Sequence, residues 1–397
     1  MNASPPTSRL VSLDAFRGAA VATMLLVNNP GSWTEVYAPL RHAEWHGWTF
    51  TDTVFPFFLW IVGVAIPLAF ARRLAQGASR GELLRHAFVR AAIICGLGLL
   101  LNSLGSLLDG SLLRDGPVAW GSHWAGRVRI AGVLQRIGLC YLGASAIYLH
   151  TGTRGRVGWV VGLLAGYWLL MRWVPAPGGM AGVFAERGNL SQWLDELVLG
   201  AHCYSGTKFY DPEGLLSTLP AIGTCLLGVL TGQWMATDRQ PAEKTAWLLV
   251  AGNVLLFLGG LMDLALPINK KIWTSSFTVF MAGLAMNCFG VWYWLIDVQG
   301  WRKWATPFVI FGMNAISMFV LAGVVGRLLI AIKVPGAGGK PTGLNTWLWD
   351  NLFLAVAPGT GNSAVLKFLS LCWALGFVGA LFLVAFAMYR RKWFIRV

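Results

Sequence analysis

Charged residues are scarce in this sequence: Asp, Glu, Lys and Arg make up 12% of its 397 residues, against about 25% in a typical soluble domain. Acidic residues are the scarcer kind, with 17 Asp and Glu against 31 Lys and Arg. Hydrophobic residues reach 56%, and the mean hydropathy is +0.60. An ordinary soluble domain is therefore excluded, and the composition indicates a polytopic integral membrane protein.

Cysteine is also sparse, and the six cysteines form no Cys-x-x-Cys motif. Five of them lie inside apolar runs, and the sixth, Cys203, lies in a loop. We interpret them as packing residues, since the pattern supports neither a disulfide framework nor a zinc site. The sequence also lacks a short-period repeat and a low-complexity tract, so residues 1–397 are interpreted as one transmembrane domain.

Ten apolar runs have roughly the 20 residues that a membrane-spanning helix needs. They lie at about 11–28, 52–71, 86–106, 128–150, 157–174, 214–235, 245–263, 272–296, 304–331 and 363–389. The first run is interrupted by Asp14 and Arg17 and does not end in Ala-x-Ala, so we interpret it as a span and not as a cleavable signal. Trp residues gather at the ends of the runs, as in interfacial aromatic belts. The sequence predicts an all-α membrane protein with about ten transmembrane helices.

The distribution of basic residues predicts the orientation of these helices. Six short segments, including both ends of the chain, carry 16 of the 31 Lys and Arg residues. The five opposite loops carry fewer, although they are more than twice as long in total. The positive-inside rule therefore predicts that both termini are cytoplasmic. The formal charge of +14 follows from this bias, so we predict membrane lipid as a partner and no nucleic acid.

The most informative segment is the polar loop between the first two apolar runs. It reads Arg-His-Ala-Glu-Trp-His-Gly-Trp-Thr-Phe-Thr-Asp-Thr-Val-Phe-Pro over residues 41–56, and the turn 28–31 leads towards it. An ionisable side chain at a membrane boundary is costly unless it is functional, which makes His42 a candidate catalytic residue. His42 and His46 have a spacing that could hold a metal on one helical face. The sequence fixes no third ligand, however, so no metal is predicted.

Several charged residues fall inside or at the edges of the predicted spans. Asp14 and Arg17 are three residues apart on a helix, where they can form an ion pair on one face. Arg136, within Gln135-Arg136-Ile137-Gly138, lies deeper and has no local partner. Because intramembrane charges usually face a bundle interior or a water-filled cavity, Arg136 is predicted to line a cavity, where an anionic ligand would suit it.

Eight short motifs, in order along almost the whole chain, together carry a family resemblance. They are Leu13-Asp14-Ala15-Phe16-Arg17-Gly18, Val27-Asn28, His42-Ala43-x-Trp45-x-Gly47, Asp52-x-Val54-Phe55-Pro56, Val133-Leu134-Gln135-Arg136-Ile137-Gly138, Asp211-Pro212-Glu213-Gly214, Pro267-Ile268-Asn269-Lys270-x-x-Trp273 and Gly312-Met313-Asn314. The chain thereby resembles the heparan-α-glucosaminide N-acetyltransferase family of transmembrane acetyltransferases. Lacking the additional N-terminal luminal region and span of the lysosomal animal member, it is expected to be a compact bacterial relative.

The resemblance implies acetyl transfer across a membrane. Cytoplasmic acetyl-coenzyme A donates its acetyl group to the amine of a terminal glucosamine on the opposite side. The catalytic His of the family falls on His42, and a functionally important Asn falls on Asn28. Position 46 is Asn in some members, which weakens a role for His46. A bacterial relative is expected in the inner membrane, and relatives suggest a homodimer.

The chemistry of the residues agrees with these roles but leaves the route open. An imidazole that titrates near neutrality suits His42 as the general base for a sugar amine. His42 could instead be a nucleophile that forms a transient acetyl-imidazole. The Asn28 amide could donate a hydrogen bond to the carbonyl oxygen as it gains negative charge. The alternatives are a turn or cap amide for Asn28 and a structural interfacial histidine for His42.

The remaining site residues are divided between the donor and the acceptor. Arg17 and Arg136 are expected near a tunnel for the pantetheine arm, where they would neutralise the phosphates of the coenzyme. Acidic, amide and amine side chains at the outer mouth are expected to bind the amino sugar: Asp211, Glu213, Asn269 and Lys270. Their alternative role is ordinary loop capping and ion pairing. Asp52 could orient His42, bind the amine or cap the second helix.

Two other functions stay open at the level of the sequence. The first is acetyl transfer to a hydroxyl group of an envelope polysaccharide, against which the match to an N-acetylating family argues. The second is sugar transport, which predicts charged residues at the midplane and repeated halves with broken helices. The sequence has one deep charge and no repeat between its halves, so acetyl transfer to an amino sugar is the favoured function.

Overall fold

The computed structural model describes residues 10–336 and 339–395, which are almost entirely helical. The helices are α1 (Val11–Asn28), α2 (Phe50–Ala75), α3 (Arg80–Leu108), α4 (Ser111–Arg127), α5 (Val133–His150), α6 (Thr153–Trp173), α7 (Leu190–Val198), α8 (Thr218–Met235), α9 (Pro241–Asp263), α10 (Ser275–Tyr293), α11 (Thr306–Met313), α12 (Ala315–Ala331), α13 (Leu344–Leu348) and α14 (Ser363–Arg390). The strands of the described part, β1 (Lys333–Pro335) and β2 (Pro341–Gly343), form one antiparallel hairpin with Val334 opposite Thr342. The predicted all-α fold is confirmed.

Six helices of the described chain are long and apolar enough to cross a membrane: α1, α2, α3, α9, α10 with its π-helical extension Trp294–Val298, and α14. The pair α11 and α12, which is bent by 70° at a short break, makes a seventh span if it crosses as one unit. The three other predicted runs are also helical, as α5, α6 and α8. Their spanning of the membrane stays a prediction. So does the cytoplasmic position of the termini, both of which include residues outside the described ranges.

Helix α2 is the central element that carries the site, and it packs closely against α8. A Cβ atom on Gly63 of α2 would lie 1.9 Å from the carbonyl oxygen of Cys225, and one on Gly228 of α8 would lie 2.1 Å from that of Trp60. These distances are far below a van der Waals contact, so the two backbones approach as closely as only glycine permits. The largest hydrophobic cluster extends from this contact into α3, α5, α6 and α10.

Two loops meet beside the first turn of α2 and bring distant parts of the chain together. Residues 29–49 connect α1 to α2, and residues 264–274 connect α9 to α10. The amide of Gly47 donates to the carbonyl of Ile268 over 2.7 Å, and Gly47 forms a parallel bridge with Asn269. Gly47 has a φ of 84°, a conformation that favours glycine. The His42 loop is thereby fixed to the segment that carries Lys270.

Candidate active site

His42, Asp52 and Lys270 form one cluster at the junction of these loops. The Nδ1 atom of His42 lies 2.7 Å from Oδ1 of Asp52. The ammonium of Lys270 lies 3.1 Å from the same Oδ1 atom and 3.1 Å from Nδ1 of His42. The Asp52 side chain is fully buried, whereas 40% of the His42 side chain is exposed. The structure therefore brings together three residues that the sequence separates by up to 228 positions.

Asp52 has two structural roles that the sequence offered as alternatives. Its Oδ2 atom accepts hydrogen bonds from the amides of Ala43 at 2.9 Å and Thr49 at 3.1 Å, which closes the first turn of α2. Its Oδ1 atom binds His42. Because the carboxylate is held by the backbone on one side, it orients the imidazole with the other.

This arrangement determines which nitrogen of His42 can react. A carboxylate at Nδ1 favours the tautomer that carries its proton there and donates it to Asp52. The Nε2 atom is then left as the basic nitrogen. Since Nδ1–H is not an acceptor, Lys270 donates to Asp52. Burial lowers the pKa of Lys270, and the charge of Asp52 offsets part of that effect.

His42 lies in the wall of a cavity of about 180 Å³. Its apolar wall comes from α1, α2, α5 and α12. Its polar lining consists of five side chains: Asn28, His42, Thr51, Glu213 and Lys270. Asn28 is the last residue of α1. Its side-chain amide makes no hydrogen bond with another residue in the described ranges. Four of the residues predicted for catalysis or acceptor binding thus share one cavity.

Arg129 is a functional candidate that the sequence analysis missed. Its Nε and Nη2 atoms donate to the two carboxylate oxygens of Asp211 at 2.8 and 2.6 Å, and Nη2 also donates to Glu213 at 2.5 Å. Its guanidinium lies 4.7 Å from the ring centre of Tyr204. Although burial acts in the opposite direction, the two carboxylates raise the pKa of Arg129. Arg129 therefore fixes Glu213 at the edge of the His42 cavity, and Asp211 binds Arg129 with both of its oxygens.

A second cavity, of about 770 Å³, lies next to the first. The two share five lining residues: Met24, Asn28, Val133, Leu134 and Phe319. The larger cavity is lined by the side chains of Arg129 and Arg327, by amides and by aromatic rings. The amides are those of Asn28, Asn29, Asn102, Gln135 and Asn345, and the rings are those of Trp33, Tyr204, Phe319, Trp349, Trp373 and Phe377. Asn28 is thus the polar residue common to both cavities.

Arg136, which we predicted to line a cavity, does not line either of these two. Arg136 is only 1% exposed. Its Nη2 atom donates to the Gly214 carbonyl at 3.0 Å and to the Ser217 hydroxyl. The guanidinium lies 5.2 Å from the ring centre of Trp273. Because Gly214 follows Glu213 in the chain, Arg136 supports the segment that carries the acidic residue.

The other predicted residues also lie outside the His42 cavity. Arg17 lies 3.3 Å from Asp14, and the eleven residues from Arg17 to Asn28 place it about 16 Å along α1. Asn269 is fully buried, and its Oδ1 atom accepts from the amide of Ile272 at 3.1 Å, which shapes the loop next to Lys270. His46 lies 3.4 Å from the Asn269 amide, and burial lowers the pKa of His46.

The described residues contain no group of three or more His, Cys, Asp or Glu side chains that could hold a metal ion. The polar lining of the His42 cavity can instead accept a proton through His42, donate a hydrogen bond through Asn28, and attract a cation through Glu213. These are the functions that acyl transfer to an amine requires.

Comparison with known proteins assigns the chain to a family. No family model matches it. Heparan-alpha-glucosaminide N-acetyltransferase of Homo sapiens is 30% identical over 371 residues, which cover 81% of this chain and 53% of the human protein. The protein of the same name from Mus musculus is 29% identical over 364 residues, or 79% of this chain and 53% of the mouse protein. The chain thus spans about half the length of these relatives. On this similarity, which extends over four-fifths of its length, the chain belongs to the heparan-α-glucosaminide N-acetyltransferase family.

Proposed function

We propose that this membrane protein is an N-acetyltransferase that moves the acetyl group of acetyl-coenzyme A to the amine of a terminal glucosamine or a related amino sugar. The observation that carries the proposal is the cavity in which His42, oriented by Asp52, lies with Asn28 and Glu213. The names of the human and mouse relatives supply the reaction class.

In the direct route, the sugar amine attacks the thioester carbon while Nε2 of His42 accepts the proton that the amine loses. The carbonyl oxygen becomes negative in the tetrahedral state, and the Asn28 amide donates a hydrogen bond to it. Collapse breaks the carbon–sulfur bond, and the imidazolium returns the proton to the departing thiolate. The products are the N-acetylated sugar and the free thiol.

In the covalent route, Nε2 of His42 attacks the thioester first and the thiolate leaves. The sugar amine then attacks the acetyl-imidazole, and Nε2 of His42 leaves and takes up the proton that the amine loses. This proton is released to solvent, from which the thiolate is protonated. Both routes need the same tautomer and the same position for Asn28. They differ in whether an acetylated protein forms in the absence of the sugar, which the mass of the intact protein after mixing with acetyl-coenzyme A alone will show.

The acceptor amine is mostly an ammonium ion at neutral pH, and Glu213 is the cavity carboxylate that can receive it. The ammonium loses one proton to solvent before the neutral amine attacks. Arg129 holds Glu213 in place. Asp211, which we predicted to bind the acceptor directly, uses both oxygens on Arg129, and Asn269 uses its oxygen within its own loop. We therefore propose that neither Asp211 nor Asn269 contacts the acceptor: Asp211 positions Arg129, and Asn269 shapes the loop next to Lys270.

The donor site is proposed on the opposite side of the membrane from the acceptor. We propose that cytoplasmic acetyl-coenzyme A enters a tunnel near Arg17, and that the protein is a homodimer in a bacterial inner membrane. Arg136, which binds the carbonyl of Gly214, is proposed to support the acceptor segment and not the coenzyme. Support for the sidedness comes from the clustering of basic residues at the ends of the helices away from His42.

Three assays of the purified protein test the proposal. Acetyl-coenzyme A and glucosamine are mixed with the protein, and both free thiol and acetylated sugar are measured. N-acetyl transfer predicts equal amounts of thiol and of an alkali-stable acetylated product. An alkali-labile product would instead indicate an O-acetyl ester. Uptake of glucosamine into vesicles without thiol release would indicate a transporter.

A further inference from the structure

A third cavity, of about 360 Å³, lies at the other end of the molecule. It is formed where the C-terminal end of α2, the start of α3 and the connection from α5 to α6 meet. Its lining consists of Leu74, Arg80, Tyr148, Leu149, His150, Thr151, Gly152 and Arg156. Leu74 and Asp52 are 22 residues apart on α2, so this cavity lies about 33 Å from the His42 cluster. It belongs to neither cavity of the candidate active site.

We call this third cavity the inner-end cavity, because the predicted topology puts this end of the molecule on the cytoplasmic side. Its lining is basic. It contains Arg80, His150 and Arg156 and includes no Asp or Glu. Within the described ranges, neither arginine is within ion-pair distance of a carboxylate. Arg156 is only 8% exposed; its guanidinium lies 4.2 Å from the ring centre of Tyr148, and its Nε atom has no hydrogen-bond partner among the described residues. A buried cation with no anionic partner favours an anion as the ligand of the cavity.

The backbone around the cavity also favours an anion. Gly152, which lines the cavity, precedes the first turn of α6 and has no side chain to cap it, so the positive end of the helix dipole lies beside the cavity without a side-chain cap. Some of the carbonyl groups at the end of α5 and just after it, which would repel an anion, are bound by side chains. Arg156 donates to the carbonyls of Tyr148 and Thr151. The Nδ1 atom of His150 lies 2.8 Å from the carbonyl oxygen of Ala146.

The surroundings of the cavity indicate a membrane lipid as the source of the anion. Beyond Arg156, helix α6 exposes Val157, Trp159 and Val161. A headgroup bound in the cavity would place its acyl chains along such an apolar surface. Basic pockets between membrane helices recognise anionic headgroups in this way. We infer that the inner-end cavity binds a phosphate ester, and that an anionic phospholipid headgroup supplies it.

The proposal is independent of acetyl transfer and is tested by lipid binding. The affinity of the purified protein in neutral detergent for phosphatidylglycerol is measured by native mass spectrometry, with phosphatidylcholine as the uncharged comparison. Arg80→Gln and Arg156→Met remove cavity charges. Arg154→Gln is the matched control, because Arg154 is exposed and lies outside the cavity. We expect each cavity variant to bind phosphatidylglycerol about fivefold more weakly and the control to bind as the wild type does.

Arg80→Gln keeps the test decisive if Arg156→Met fails to fold, since Arg80 is exposed and caps no helix. Equal losses in all three variants would show a diffuse surface charge and would overturn the site, as would an unchanged affinity in Arg80→Gln. Free coenzyme A and inorganic phosphate are tested as soluble competitors. Competition by coenzyme A that depends on Arg80 would support the phosphate site but would overturn the lipid as its source.

Discussion

The two neighbouring cavities that share Asn28 differ in how their charged groups are held. In the smaller cavity each charge has a protein partner: Asp52 binds His42 and Lys270, and Glu213 binds Arg129. The larger cavity also contains the ion-paired Arg129, but its second arginine, Arg327, donates to the carbonyl of Gly323 in its own helix, and amides and indoles form much of the remaining surface.

The difference indicates a division between reaction and binding. Paired groups are fixed in position, which acid–base chemistry requires. Amides and aromatic rings on a wide surface can adapt to a ligand of variable shape. Asn28 lies on the boundary, so it can contact a ligand of the larger cavity and a reacting group in the smaller one. Substitutions in the smaller cavity should therefore change mainly kcat, and substitutions in the larger cavity should change mainly KM.

The largest effect is expected from His42→Ala. Loss of a positioned group that transfers a proton should lower kcat by about 10²–10⁴-fold, while binding of acetyl-coenzyme A is largely retained. His46→Ala is the control, because His46 does not line the small cavity and should change the rate much less. Equal losses in the two variants would instead favour a site that uses both histidines.

Asn28→Ala should have the next largest effect. Removal of a hydrogen-bond donor to the developing oxyanion lowers kcat by about 10²–10³-fold. Asn29→Ala is the matched control, since Asn29 lines only the larger cavity and donates to the carbonyl of Leu25. Steady-state kinetics with both substrates will separate the two. A rise in KM alone for Asn28→Ala would place this residue in binding and break the proposed division.

Lys270→Met should change the pH dependence of the reaction more than its maximum rate. The substitution removes the ammonium that lies 3.1 Å from Nδ1 of His42, and with it the repulsion between the two cations. The attraction of Asp52 remains, so the imidazolium is more stable in the variant than in the wild type. The acidic limb of the kcat/KM profile should therefore move to higher pH, by an amount of the order of one unit. Lys271→Met, which removes a charge outside the cavity, should leave the limb in place. A shift to lower pH would contradict the cluster.

The smallest effect is expected at Asp195, whose carboxylate accepts the amides of Asp211 and Leu215. Burial raises its pKa from 3.8 to about 6. Because the folded pKa exceeds the unfolded one, this residue favours the fold fully below pH 3.8, and its contribution is lost as the pH rises to about 6. Thermal unfolding of Asp195→Asn should lack this part of the pH dependence. An identical profile in the wild type and the variant would contradict the assignment.

The sequence could predict the features that depend on neighbouring residues. An apolar run is continuous in the sequence and can be recognised there, and all ten predicted runs are helical. The Asp52–His42 contact joins two residues only ten positions apart. The ion pair of Arg129 with Asp211 spans 82 positions, and that of Lys270 with Asp52 spans 218. No local pattern indicates such pairs. Asp211 could therefore be assigned to the acceptor from its motif, although its carboxylate is occupied by an arginine that no motif includes.

Single-turnover transfer of an isotopically labelled acetyl group tests the central claim most directly. Purified protein loaded with labelled acetyl-coenzyme A is mixed with glucosamine, and the sugar product is followed by mass spectrometry in the wild type and in His42→Ala. We predict labelled N-acetylglucosamine from the wild type, and loss of its formation in His42→Ala although the donor still binds. Labelled product at the wild-type rate from His42→Ala would contradict the assignment of His42 as the reacting group.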